Sequence, residues 1–298
     1  MSRLVLLAAL LVAVSAPRAQ EVPDREASGG RLAAVASPGG LAVVGLAGLP
    51  SEAPPVEAEG LAVVPSEAPA PVMSEAVENA PMFYAAERAV ELRSGPGTGG
   101  RIATLGLRDT ARLLDGGDRE WALVWTESGR GYVRRAELSN LWILVDKSER
   151  TTYVYQGADL LHELPADVSA SEGDKVRRST LNDQTHWRIP EGVFFVSGKN
   201  PNSQYYKAFV ISYPNPEHGL RGLRDGLISQ REYEQILASD RDSRRPPMGT
   251  ALGGMIEIHG QGTGRQRAWT RGCVALRNVH MDDLWDLVQV GTPVVIEE

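Results

Sequence analysis

The chain has one cysteine, Cys273, fourteen residues after a histidine, His259, which is followed by Gly260. A thiol attacks carbonyl carbon as its thiolate, and a free thiol with a pKa near 8.5 is mostly protonated at neutral pH. An imidazole within reach takes that proton and makes the sulfur a nucleophile. Gly272 directly precedes the cysteine. A residue without Cβ lets backbone come close to a substrate, and consecutive N–H groups around it would face a developing oxyanion. These residue types fit cysteine-dependent acyl transfer. Spacing alone leaves a second reading open, a buried structural cysteine beside an unrelated histidine, because free cysteines are among the most buried residues. A strand over Met255 to Ile258 followed by a returning loop would bring the two residues together.

A lone cysteine excludes an internal disulfide, a cysteine zinc cluster and a CxxC pair. No HExxH, EF-hand or GxSxG pattern is present, so neither metal nor cofactor is implied. Gly192 to Lys199 resembles a phosphate loop only superficially: five residues separate its glycines and Asn200 stands where Ser or Thr belongs. His162, His186, His218 and His280 lack a comparable motif and read as structural or surface residues. Tyr205, Tyr206 and Trp269 are candidates to line a substrate groove, with core packing as the alternative.

The N-terminus predicts the compartment. Arg3 precedes the apolar run Leu4 to Val14 and a small-residue end, Ser15-Ala16-Pro17-Arg18-Ala19. Residues 1–20 therefore read as a secretory signal peptide. The run is too short for an ordinary spanning helix, with an uncleaved anchor as the alternative, so no stable membrane span is expected after cleavage. In an exported chain an unpaired thiol is an oxidation liability. Its presence is easiest to understand if the thiol reacts.

Residues 21–80 contain no aromatic residue, Lys or Cys, and repeat the segment Pro-Ser-Glu-Ala-Pro at 50–54 and 65–69. Such a stretch cannot bury enough surface to offset its ordering entropy and reads as a disordered linker. It holds nine acidic and two basic residues, so the chain's net charge of −7 lies within it; residues 81–298 hold 29 acidic and 27 basic residues. No basic stripe suggests nucleic acid as a partner.

All 18 aromatic residues lie from Phe83 onward. Over 83–140, the alternating run Ala89 to Arg93 and further short strands at Ile102 to Leu105, Ala111 to Leu114, Trp121 to Trp125 and Gly131 to Val133, separated by Gly and Ser turns, predict a small β-barrel or sandwich. Over 141–298, strands are expected at Trp142–Asp146, Thr152–Tyr155, Gly192–Val196, Ala208–Ser212, Met255–Ile258 and Pro293–Ile296. Residues 215–250 read as a loop-rich lid with one helix near Gln230 to Ala238. Met281, Leu284, Trp285 and Val288 mark a helix with Asn278 as its N-cap and Gly291 at its end. The fold class is mainly β with a few short helices.

Two resemblances follow from these motifs. Leu92-Arg93-Ser94-Gly95-Pro96-Gly97-Thr98, Trp121 and Gly131-Tyr132-Val133 resemble a bacterial SH3-type domain over 83–140. Such domains bind cell-wall peptide or pack beside an enzyme. His259-Gly260, then Thr270-Arg271-Gly272-Cys273-Val274, together with the hairpin from Trp142 and Ile189-Pro190-Glu191-Gly192, resemble the L,D-transpeptidase (YkuD-type) catalytic domain over 141–298. That resemblance implies a β-rich catalytic fold and a peptidoglycan stem peptide as substrate. It implies Cys273 as nucleophile on the third stem residue, release of the terminal D-alanine, and His259 as base and ion-pair partner. Backbone N–H groups of Arg271, Gly272 and Cys273 would bind the oxyanion. The thioester would pass to an amine acceptor, a wall-attached protein among the alternatives, or to water. The chain departs from the pattern at Arg271, where many members have His, and at Ala275, where many have Arg or Asn. Arg271 or Arg277 is then expected to pair with a substrate carboxylate. The resemblance also implies a periplasmic or secreted, wall-associated location.

Overall fold

The computed structural model describes residues 74–115 and 120–298. The expected signal peptide and the linker as far as residue 73 lie outside the described residues. The last stretch of that linker forms one helical turn, Glu75–Glu78. Arg112 holds it in place by donating to the carbonyls of Glu78 and Ala80, at 2.5 and 3.2 Å.

The first sheet contains β1 (Met82–Ala85), β2 (Val90–Arg93), β3 (Arg101–Leu105), β4 (Thr110–Asp115), β5 (Trp121–Thr126), β6 (Gly129–Arg134) and β7 (Leu138–Ser139). Its order is β3-β2-β6-β5-β4-β1-β7, with every pair antiparallel. Period-two alternation turns Val90 and Leu92 inward with Phe83, Ala122, Val124 and Val133. Strand β1 carries no alternation, because three of its four residues are buried, so no sequence period marks it.

The second sheet contains β8 (Leu141–Asp146), β9 (Thr151–Gln156), β10 (Asp159–Pro165), β12 (Gly192–Ser203), β13 (Tyr206–Ile211), β14 (Glu257–His259), β16 (Val274–Ala275) and β17 (Pro293–Glu297). Its order is β10-β9-β8-β17-β12-β13-β14-β16. A separate parallel pair joins β11 (Val168–Ser169) to β15 (Ala268–Thr270). All six residues of β8 are buried, as expected for a strand covered on both faces. Ile143 and Val145 face the main core with Val154, Phe194 and Ile296. Trp142 and Leu144 face a second cluster, in which Trp142 stacks on Tyr155 at 4.5 Å.

Three longer helices complete the fold of the described residues. Residues 215–250 are largely helical and not an open loop. Helix α1 (Pro216–Arg224) starts from Asn215, whose side chain accepts from the His218 amide. Pro216 stands at a first-turn position where its missing N–H costs nothing. Helix α2 (Gln230–Arg241) opens with a Ser229–Glu232 capping box. Ile228, Ile236 and Leu252 give the pair its own small core. Helix α3 (Asn278–Trp285) differs from expectation at both ends. Asn278 does not cap it, because its carbonyl accepts from the Gln261 amide at 2.7 Å. The helix also stops well before Gly291, where Lys199 donates to the carbonyls of Trp285 and Val288.

The two sheets meet through α2. Arg108, held at φ +74°, donates to the Asp240 carbonyl at 3.2 Å and lies 4.0 Å above the Phe195 ring. Ser243 donates to the Leu107 carbonyl at 2.9 Å, and the Tyr84 hydroxyl to that of Leu141 at 2.9 Å. A desolvated cation–π contact contributes about 2 kcal/mol. Arg108→Ala should therefore lower the free energy of unfolding by roughly that amount, read as an earlier midpoint in urea denaturation.

Candidate active site

Strands β14 and β16 run parallel, with Ile258 opposite Val274 and His259 opposite Ala275. This register carries Cys273 to the level of Glu257, diagonal to His259 on the adjacent strand. Diagonal neighbours on one face lie within reach of a long side chain. The fourteen-residue spacing thus closes as a crossover between neighbouring strands. The amide of Leu276 bonds the carbonyl of His259 at 2.8 Å and locks the pair.

His259 is 2% exposed. Its Nδ1 lies 2.7 Å from the Gly260 carbonyl. A carbonyl only accepts, so Nδ1 carries the proton and Nε2 keeps the lone pair. Burial lowers the His259 pKa and the Gly260 bond partly restores it, leaving a net lowering below 6.5. Tyr205 stacks on the imidazole at 4.4 Å, and Trp269 meets it edge-on at 6.4 Å.

Cys273 is partly exposed. Its sulfur lies 3.7 Å from the Met255 carbonyl and accepts from the Glu257 amide. Burial pushes the thiol up to about 12; the Glu257 amide opposes this, the Glu257 carboxylate adds to it, and Lys175 opposes it. The resting pair is therefore neutral thiol and neutral imidazole.

Gly272 sits at φ +120°, and a Cβ there would come within 2.7 Å of the Arg188 carbonyl. Its missing side chain is thus needed for close backbone packing in a region that side chains avoid.

The loop between the two residues is built on Asp167, a fully buried carboxylate from the other side of β16. It accepts from the Thr263 amide (2.7 Å) and hydroxyl (2.8 Å), the Arg267 amide (2.9 Å) and the Trp269 indole (2.8 Å). Its backbone pairs in both directions with Ala275. Burial raises this carboxyl, and the four hydrogen bonds more than offset that, so it titrates below 3.8.

The other expected residues divide. Arg271 stacks over Trp187 at 4.7 Å and lines a cavity of about 320 Å³. Arg277 lies along Gly264 and is not part of that cavity's lining. The Tyr206 hydroxyl donates to Asp282 of α3 at 2.9 Å, whereas Tyr205 is the tyrosine on the histidine. His218 is structural: its imidazole joins Asn215 at 2.6 Å and Asp174 at 3.3 Å. Among the described residues no group of three or more His, Cys, Asp or Glu is placed to hold a metal ion. Nor is any helix among them long and apolar enough to cross a membrane.

Two residues at the site carried no sequence signal, Asp167 and Lys175. Lys175 lies in a polar segment without periodicity, and Asp167 between the apolar Ala166 and Val168, where nothing in the sequence marks its carboxylate. Lys175 is 3% exposed and donates to the His186 carbonyl at 3.1 Å. Burial lowers its pKa to about 8, against an opposing pull from Cys273.

Asp167→Asn replaces two accepting oxygens with one and turns an amide toward N–H donors. It should cost about 2 kcal/mol of stability at neutral pH, measured by denaturant unfolding. The native carboxyl titrates below its unfolded value, so its contribution is complete above about pH 4 and disappears in acid. The variant and the parent should converge there.

Residues 140–296 match the YkuD family model, the L,D-transpeptidase catalytic domain. No curated protein matches the chain. Among solved structures, Bd1075 of Bdellovibrio bacteriovorus is 22% identical, covering 54% of this chain and 48% of its own, with a TM-score of 0.34. The helical cell shape determining protein Pgp2 of Campylobacter jejuni is 22% identical, covering 54% and 47%, with a TM-score of 0.35. An L,D-transpeptidase of Xylanimonas cellulosilytica is 15% identical, covering 53% and 61%, with a TM-score of 0.33. The chain spans about half to three-fifths of the length of these structures. The family model covers more than half of the chain, which therefore belongs to the L,D-transpeptidase (YkuD) catalytic-domain family.

Proposed function

We propose that the chain is an exported peptidoglycan L,D-transpeptidase that works through a thioester on Cys273. The observation that carries this reading is the parallel pairing of β14 with β16, which sets the thiol diagonal to an imidazole whose Nε2 is free. In the acylation step the sulfur bonds to the carbonyl carbon of the third stem residue and its proton passes to His259 Nε2. The backbone N–H groups of Arg271, Gly272 and Cys273 receive the oxyanion. Collapse breaks the bond to the terminal D-alanine, whose amine leaves with the proton from His259. An acceptor amine then attacks the thioester, His259 takes its proton, and the sulfur recovers it as the new amide forms. Water in place of the amine would make the same site an L,D-carboxypeptidase or amidase.

Burial supports this order of events. A thiol with a pKa near 12 is not a resting thiolate, so proton removal has to accompany attack, and the base must be neutral at working pH. His259 meets that condition, because its pKa lies below 6.5.

The remaining chain fits a wall enzyme. In this reading residues 1–20 direct export, the stretch from 21 to 73 is a spacer, and the first sheet is an SH3-type module for wall peptide. The protein then works in the periplasm or at the cell wall.

A carbapenem should add covalently to Cys273, seen by intact-protein mass spectrometry, and Cys273→Ala should lose the adduct with its fold retained. His259→Gln should slow acylation by at least about a hundredfold. The acylation rate should stay level as pH falls to 6.5 and drop only below it, because the base form persists until the lowered pKa is passed. Muropeptide products with and without an added D-amino acid separate transfer from hydrolysis. Absence of any adduct would identify a non-catalytic wall-binding protein.

A further inference from the structure

A cavity of about 320 Å³, lined among others by Lys175, Met255, Ile256 and Arg271, falls in the size range of ligand sites. Its wall includes three cationic side chains, Lys175, Arg178 and Arg271, and no carboxylate. Met255 also lines it, and the Met255 carbonyl is the group that faces the Cys273 sulfur. Cys273 is not itself in the lining, and Met255 is the residue that links the cavity to the thiol.

Lys175 is the unusual member. A buried ammonium normally has an anionic partner, since desolvating an isolated charge is expensive. Lys175 has three donors, and its hydrogen bond within the protein goes to the neutral His186 carbonyl. It is also firmly placed. Asp174, the preceding residue, accepts from Arg221 at 2.6 Å and from the Glu191 amide at 2.9 Å, and its other polar neighbour is His218. Arg221 also donates to the Lys175 carbonyl at 2.7 Å. Helix α1 thus grips the backbone on which this buried cation stands. Arg271 is fixed by stacking on Trp187. Fixed cations around a preformed cavity are what a carboxylate site requires.

We propose that this cavity is a carboxylate subsite for the acyl-donor peptide, with Lys175 as the specificity-determining residue and Arg271 beside it. The inference rests on the thioester reading above for its choice of ligand. A stem tetrapeptide offers two carboxylates near the bond to be broken. One is the C-terminus of the departing D-alanine, and the other is on the side chain of the third residue. Both present the same chemistry to Lys175.

The test measures equilibrium binding in a Cys273→Ala background, where no thioester forms, by isothermal titration calorimetry. Three ligands are compared: the stem tetrapeptide, its C-terminal amide, and a tetrapeptide with lysine in place of diaminopimelate. Each is titrated into proteins with Lys175 intact and with Lys175→Met, which keeps the aliphatic stem and removes the buried charge. With Lys175 intact, one of the two altered ligands should bind roughly tenfold to a hundredfold more weakly than the parent peptide. Which one it is identifies the carboxylate. Lys175→Met should bind the parent peptide as weakly as that ligand and show no further loss with it. Arg271→Gln should reduce the same discrimination in part.

Equal loss for every ligand in Lys175→Met, with an unchanged unfolding midpoint, would overturn the proposal, as would equal affinity of all three for the intact site or no binding of any. Carbapenem labelling of the wild type reports on the thioester reading separately. Discrimination without labelling would overturn that reading and leave the subsite standing.

Discussion

One buried carboxylate organises the site. Asp167 contributes neither a nucleophile nor a base, yet the turn at Thr263, the amide of Arg267 and the indole of Trp269 all converge on its two oxygens. Its own backbone pairs with Ala275 on the strand that follows Cys273. Without this anchor, the residues between His259 and Cys273 are a polar loop with no core of their own. With it, the loop returns to the sheet in a register that leaves the histidine and the cysteine diagonal to each other. All four hydrogen bonds to its side chain go to a charged acceptor inside the protein, where such bonds are strongest.

The same low dielectric sets the chemistry. Burial keeps both Cys273 and His259 neutral, the thiol by raising its pKa and the imidazole by lowering it. A site of this kind stores no ion pair at rest. Oxidation of a cysteine follows its thiolate character. A protonated resting thiol is therefore also the less vulnerable form.

Much of this was legible in the sequence, for physical reasons that can be named. The alternating run Val90 to Arg93 declares a strand because one face is buried and the other is not, and the apolar run Trp121 to Val124 declares one by its β-forming residues between turns. His259 and Gly272-Cys273 stand out because the residue types are rare and chemically suggestive. Helix α1 does not show in the sequence because a proline such as Pro216 marks a strand end and a helix start equally well, and only the Asn215 cap on the His218 amide decides between them. Asn278 looked like a cap, and the Gln261 amide captured its side chain instead. Lys175 and Asp167 gave no signal because their importance is entirely long-range. Nothing near Lys175 in the chain foretells that it is buried against a neutral carbonyl.

The arrangement around α2 bears on how such proteins are assembled from parts. Leu107 and Arg108 of the first sheet's unit hold the end of α2, α2 shares a small core with α1, and Arg221 of α1 holds the backbone of Lys175. A continuous run of contacts thus leads from the outer edge of one unit to the wall of the cavity in the other. The first unit is in this sense not a portable attachment. Exchanging it for a foreign domain, however similar in fold, would remove a support on which the shape of the catalytic unit's cavity depends.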